Sequence, residues 1–162
     1  MKGAIRVLFI GGAAGYLAGR VMDQATTWFY TRQSDASKQR EGELLPEGAP
    51  VASARKLAGL IGAEPTDEQA GTIAATLHQG LGQLYGVAAA ALTRRGVPPV
   101  RAGLASGAAG FLLVDELANS LFFTPPPQAY PVESHLRGLV GHLTFGATTG
   151  ALLALARRLG LL

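Results

Sequence analysis

The sequence has no cysteine. That excludes disulfides and thiolate metal sites, and it leaves the redox compartment open. Charge is scarce as well: 15% of residues are charged, against a usual ~25%. The small basic excess, net +3 with a pI near 9.6, forms no stripe interleaved with aromatics, so a nucleic-acid partner is excluded. There is no glycine-rich phosphate loop and no nucleophile–base motif, and the apolar stretches lack the Glu-x-x-His pairs of di-iron bundles. What the chain does hold is Ala, Leu and 22 Gly. Mean hydropathy is only +0.24, so any membrane signal lies in the arrangement of residues and not in their bulk.

Four stretches are long enough to cross a bilayer, which takes ~20 residues of helix: residues 4–30, 67–92, 99–123 and 132–156. Thr66 ahead of Asp67-Glu68-Gln69, with Pro65 before it, predicts an N-cap for the second stretch. Pro98-Pro99 separates the second from the third. Pro125-Pro126-Pro127 and Pro131 separate the third from the fourth. The expected fold is all-α: one polytopic membrane domain over residues 1–162, a four-helix bundle made of two repeated helical hairpins. Lys2 and Arg6 ahead of an apolar run also fit a signal peptide. No A-x-A site follows, so the run is read as a retained first span. The competing reading is an Ala/Gly-rich bundle in water, since polar residues interrupt every span.

Loop charge weighs against that alternative. Lys2, Arg6, Arg94, Arg95, Arg101, Arg157 and Arg158 flank one set of span ends, and those segments hold no acid. The other ends carry Asp35, Glu41, Glu43, Glu47, Glu64, Asp67, Glu68 and Glu133 among a few bases. The positive-inside rule then places both termini in the cytoplasm, with Trp28, Phe29, Tyr30, Phe122 and Phe123 as an aromatic belt on the far side. Residues 31–66 become an outer loop. Within it, 51–63 has apolar residues at helical spacing. It is either a helix lying on the interface or a helix packed over the bundle.

The stretch from Gly141 to Gly150 carries a histidine followed by glycines at intervals of four. At a shift of 64, His142, Gly146, Gly150 and Arg158 match His78, Gly82, Gly86 and Arg94. At a shift of 95, Gly12-Ala13-Ala14-Gly15 matches Gly107-Ala108-Ala109-Gly110. Two such hairpins, each starting and ending inside, make a parallel repeat. Glycines spaced by four let helix backbones approach closely in lipid, and they are read as packing residues.

Depth defines one polar layer. At 1.5 Å per residue, His78, His142, Asp115 and Arg20 each lie about 22–24 Å from the inner end of their helix, with Glu116 at the same level. Asp23, Gln24 and Asn119 lie about one turn further out. Ionisable groups in lipid are expensive and should pair or face a wet cavity. His78, His142, Asp115 and Glu116 are therefore candidate ligands for a divalent transition metal, or candidates for proton transfer, since imidazole titrates near neutrality. The alternative is a structural network in which Arg20 pairs with Asp115 or Glu116. Asp115 and Glu116, as helix neighbours, point ~100° apart and should not reach one small ligand together. Haem held by His78 and His142 has no specific pocket to support it. His135, two turns before His142 on the same face, either extends the polar layer outward or bonds at the helix start.

The motifs His78-x3-Gly82-x2-Tyr85-Gly86, Asp115-Glu116, Pro126-Pro127, Tyr130-Pro131, His135 and His142-Leu143-x2-Phe145-Gly146 resemble those of the YagU-like bacterial inner-membrane proteins, over roughly the second to fourth spans. The resemblance implies a small polytopic protein of the cytoplasmic membrane with no settled activity and a name linked to acid tolerance. Phe145 departs from it where a tyrosine is expected. The functional expectation is ion, proton or metal handling at the outer-leaflet cluster of a homo-oligomer or larger membrane complex. The alternative is a non-catalytic scaffold whose polar layer is structural. An enzymatic role ranks behind both.

Overall fold

The structure, a computed structural model, describes residues 2–162, apart from the side chains of Lys2, Asn119 and Ser120. The expected place of Asn119 in the polar layer therefore lies outside the described residues. The chain is all-helical, with no strand among the described residues. Helix α1 spans Lys2–Arg32, α2 Asp35–Leu44, α3 Ala49–Gly59, α4 Asp67–Arg94 and α5 Pro99–Gly110. A π-helix continues α5 over Phe111–Phe123, and after a 3₁₀ turn at Pro127–Ala129, α6 spans Val132–Arg158.

Local chemistry explains the ends. Thr66 and Gln69 form a capping box at the start of α4: the Thr66 hydroxyl accepts from the Gln69 N–H, and the Gln69 amide oxygen accepts from the Thr66 N–H. Gly96, at φ +94°, makes the tight turn after α4 that a side chain would resist. Proline opens α5 at its first turn, where a missing N–H is harmless.

The long helices pack in a ring, α1 on α4, α4 on α5, α5 on α6 and α6 on α1. Each of the two main pairs meets along glycines. A Cβ on Gly15 would overlap the carbonyl oxygen of Gly82, and one on Gly86 would overlap that of Gly11. In the other pair, a Cβ on Gly103 would overlap the carbonyl oxygen of Gly146, and one on Gly150 would press on the Pro99 carbonyl at 3.0 Å. These contacts revise the alignment of the first and third stretches. Gly15 and Gly103 occupy the same place against their partners, and so do Gly11 and Pro99. The packing shift is 88, two helical turns from the shift of 95 that short glycine strings suggest. In the packed register, Ala14-Gly15-Tyr16-Leu17-Ala18-Gly19 matches Ala102-Gly103-Leu104-Ala105-Ser106-Gly107. Arg20 then corresponds to Ala108 and is not equivalent to Asp115.

Side chains are sorted by size. The buried apolar residues are mostly alanine, among them Ala14, Ala18, Ala89, Ala90 and Ala102, with Leu153 the largest fully buried apolar side chain. Large apolar side chains point outward on every long helix: Leu8 and Phe9 on α1, Leu81 and Leu84 on α4, Val100 and Leu104 on α5, Leu112, Leu113 and Leu121 on the π-helix, Leu143 and Leu155 on α6. Two helices, Gly3–Arg32 and Val132–Arg158, are long and apolar enough to cross a membrane. The expected second and third spans lack that character for different reasons. Helix α4 is long enough, but Thr72, Thr76, His78, Gln79 and Gln83 dilute it. The third stretch is divided between an α and a π segment, each shorter than a span.

The 31–66 segment is mostly helical. Ser34 caps α2, its hydroxyl accepting from the Ser37 N–H. The 51–63 pattern is realised as α3, which buries Ala52 and Ala54 and packs on α4 and the π-helix. It covers the bundle, and Leu60 and Ile61 after it stand exposed.

Candidate functional site

The polar layer resolves into three histidine–carboxylate pairs. His78 on α4 meets Asp23 on α1, Nε2 to Oδ1 at 3.0 Å. His142 on α6 meets Asp115 on the π-helix, Nε2 to Oδ2 at 3.2 Å. His135 on α6 places Nδ1 2.7 Å from the Glu116 carboxylate and Nε2 3.0 Å from the Pro127 carbonyl. Asp115 and Glu116 thus reach two different histidines, two turns apart on α6. This agrees with the rule that helix neighbours do not share one small ligand.

The Pro127 carbonyl only accepts, so the His135 ring donates there through Nε2–H and turns Nδ1 to the Glu116 carboxylate. A neutral ring at His142 or His78 can donate Nε2–H to its aspartate. The His142 Nδ1 makes no hydrogen bond among the described residues and lies over Gly110, where a Cβ would come within 2.9 Å of it. A Cβ on Gly138 would lie 3.1 Å from the Asp115 carboxylate. Gly110 and Gly138, outside the glycines spaced by four, are what make room for this pair.

A cavity of about 80 Å³, partly open, lies among the long helices. His78, Asp115 and His142 line it together with Met22, Tyr85, Ser106 and Phe145. The Ser106 hydroxyl donates to the Tyr85 carbonyl at 2.6 Å, so its proton is already engaged. Phe145, where the motif led one to expect tyrosine, gives this wall an apolar ring. A volume of 80 Å³ holds two or three waters at about 30 Å³ each, and it falls far below the ~300–1,000 Å³ of organic-ligand sites.

Other expected contacts are absent. Arg20 and Gln24 are exposed, and Arg20 makes no ion pair among the described residues. Its expected pairing with Asp115 or Glu116 does not form, because the packed register puts it elsewhere on α1. The four expected metal ligands are split among separate pairs. Among the described residues, no three His, Asp or Glu side chains gather as a metal would need. The donor set therefore does not fit a divalent transition metal.

A charged network that the sequence reading missed closes the end of the ring where α6 begins. Arg137 Nη2 donates to Glu41 Oε2 at 2.8 Å and Nη1 to Glu41 Oε1 at 3.1 Å. The Ser134 hydroxyl donates to Glu41 Oε1 at 2.6 Å, and Arg137 Nη1 donates to Gln33 Oε1 at 2.7 Å. The Gln33 amide donates to Ser37 and Glu41. The Arg137 guanidinium also lies 5.2 Å from the Tyr30 ring centroid. Burial alone would raise the Glu41 carboxyl. Hydrogen bonds from Arg137, Ser134 and Gln33, with the Arg137 charge, outweigh it and hold the carboxyl below its ordinary value. The signal in the sequence was Gln33, Ser37 and Glu41 at intervals of four, a helical face inside a segment read as loop. Arg55 similarly ties α3 to the start of α4 through Glu47, Asp67 and the Pro65 carbonyl.

Comparison with known proteins gives no relative: no family model matches the chain, and neither a curated protein nor a solved structure matches it. Nothing in those comparisons bears on the resemblance to YagU-like proteins, so function must rest on geometry.

Proposed function

We propose that this chain is a four-span protein of the cytoplasmic membrane, built from two glycine-packed hairpins, that moves protons through its polar layer. The outward display of large apolar side chains on all the long helices, over an alanine and glycine interior, supports four spans. Small residues inside and large ones outside suit a bundle whose solvent is lipid. The same surface in water would form apolar patches of the kind that drive association. The exposed arginines Arg6, Arg94, Arg95, Arg101, Arg157 and Arg158 support a cytoplasmic location for both termini. The matching glycine contacts of the two pairs support the repeat.

The observation that carries the proton reading is the cavity with His78, Asp115 and His142 on its wall. It has room for water and not for an organic substrate. His142 is arranged as a two-sided relay. A proton arriving from cavity water at Nδ1 lets Nε2 release its own to Asp115, and the ring returns to neutrality with its tautomer exchanged. Reorientation of the ring, or return of the proton by the same route, resets it. The His135–Glu116 pair, one residue further along the π-helix, offers a next station beyond Asp115, and His78 of the His78–Asp23 pair lines the same cavity. A second reading has an observation of its own: each histidine pair ties two helices together, as a purely structural network would.

Purified protein in liposomes loaded with a pH-sensitive dye separates the two. Under an imposed pH gradient we expect proton flux above that of protein-free vesicles. Asp115→Asn and His142→Ala should each lower it at least tenfold while helicity is kept. Wild-type flux no greater than that of empty vesicles would overturn the proton reading and leave the structural one.

A further inference from the structure

One face of the ring departs from the apolar exterior. Gln79 and Gln83 of α4 run along the edge of α1, their amide oxygens each 3.8 Å from where a Cβ of Gly19 and Gly12 would stand. Tyr16, Arg20 and Asp23 follow the same edge at intervals of four and three, and Gln24 lies beside them. Arg20 and Gln24 are exposed, and the Asp23 side chain is 40% exposed even with His78 bonded to it. The Gln79 amide oxygen has no hydrogen-bond partner. Elsewhere on the long helices the exposed positions carry Leu, as at Leu113, Leu117 and Leu143.

We propose that this α1/α4 face is the contact between two copies of the chain, related by a two-fold axis along the membrane normal. The proposal rests on the four-span reading, because only in lipid does an exposed arginine at this depth require a partner. In a two-fold contact, residue i meets j and j meets i. Arg20 and Asp23, opposite in charge and three residues apart, complement themselves under that operation, Arg20 of each chain meeting the free carboxylate oxygen of Asp23 on the other. The exposed Gln24 and Gln83 supply further interhelical hydrogen bonds. No other exposed face of the ring pairs opposite charges in this way among the described residues. A dimer closed here would also cover the exposed side of His78–Asp23 and dry one wall of the relay.

The lack of cysteine makes the test clean. Gln24→Cys or Tyr16→Cys introduces a single thiol on this face, and Leu113→Cys one on the π-helix. We expect oxidative cross-linking in native membranes at Gln24→Cys and Tyr16→Cys but not at Leu113→Cys. Light scattering in mild detergent should give the mass of a dimer. Arg20→Glu should cut the dimer fraction at least tenfold, and Arg20→Glu with Asp23→Lys should restore it. A monomer in detergent with no cross-link in membranes, a dimer cross-linked through Leu113→Cys, or a monomer that retains anionic lipid in place of a second chain would each overturn the proposal. An alkaline carbonate wash tells its failure from that of the four-span reading. Protein released into the wash sinks both, whereas protein kept in the pellet as a monomer sinks only the dimer.

Discussion

The two helix pairs use one scaffold and differ in what they do with it. In α1/α4 both partners are regular α-helices, glycines bring the backbones together, and one pair, His78–Asp23, sits half-exposed above the contact. In α5/α6 the same glycine contacts recur, but at Phe111, where the glycines of α5 run out, the helix widens to the π form. The widened stretch delivers adjacent acids, Asp115 and Glu116, to His142 and His135. The His142 side chain is 13% exposed against 42% for His78. Packing is thus common to both pairs, whereas the doubled polar site, with its less exposed histidine, belongs to the one with the irregular helix. π segments occur disproportionately at functional sites, and here the reason is visible: the changed pitch aims two neighbouring carboxylates at one helix.

The largest effects should come from breaking what the pairs share. Gly15→Leu and Gly103→Leu each push a side chain into a facing backbone carbonyl that cannot rotate away, and both should abolish the folded state in thermal melts in detergent. Gly71→Leu, whose Cβ meets nothing within 4 Å, should leave the melt unchanged. Equal tolerance of all three would remove the glycine scaffold from the comparison.

Next in size is the Glu41 network, which holds α2 to α6 through Arg137 and Ser134 and to the end of α1 through Gln33. Glu41→Ala removes hydrogen bonds to a charged partner and should cost about 1.5–3 kcal/mol, with fast hydrogen exchange confined to α2. The folded Glu41 carboxyl lies below its ordinary value. Its contribution is therefore complete above the unfolded value of about 4.3 and disappears as pH falls through the lower folded one. Exchange in α2 should accelerate in that acid window, and Glu41→Gln should flatten the dependence. Exchange equally slow at both ends of the window would show that the pair does not hold α2.

The smallest expected difference is the one between the two equivalent histidines. His142→Ala removes a ring only 13% exposed and His78→Ala one 42% exposed, while the aspartates left behind are about equally open, at 38% and 40%. The first should destabilise more, by about 1 kcal/mol, the scale of a hydrogen bond lost in a buried setting. Equal losses would mean that burial does not distinguish the pairs.

Much of this was legible beforehand. Thr66 and the prolines marked the helix ends, although the reciprocal Gln69 bond of the capping box was not foreseen, and the all-helical class followed from the apolar spacing. Counting residues from the basic ends put His78, His142 and Asp115 at one depth, and those three do line one cavity. Partner identity was not legible, for two physical reasons. Gly/Ala strings match at more than one shift, and choosing 95 over the packed 88 made Arg20 a false counterpart of Asp115 and hid Asp23 as the partner of His78. A count at α-helical rise also cannot anticipate a π-helix, because nothing in Phe111-Leu112-Leu113-Val114 announces i→i+5 bonding. The Glu41–Arg137 network escaped notice because its acid lies in a segment read as loop and its base at the acidic end of the chain, where a positive charge was not expected.

The alanine and glycine interior has a thermodynamic consequence. On the proposed four-span reading, separating these helices inside a bilayer moves large side chains from lipid to lipid and exposes only small ones, so almost no apolar area passes into water. The heat-capacity change that bends the stability curve of a water-soluble domain should then be nearly absent. Stability should vary almost linearly with temperature, with no optimum near room temperature and no cold-induced unfolding, because the hydration term behind both has little surface on which to act.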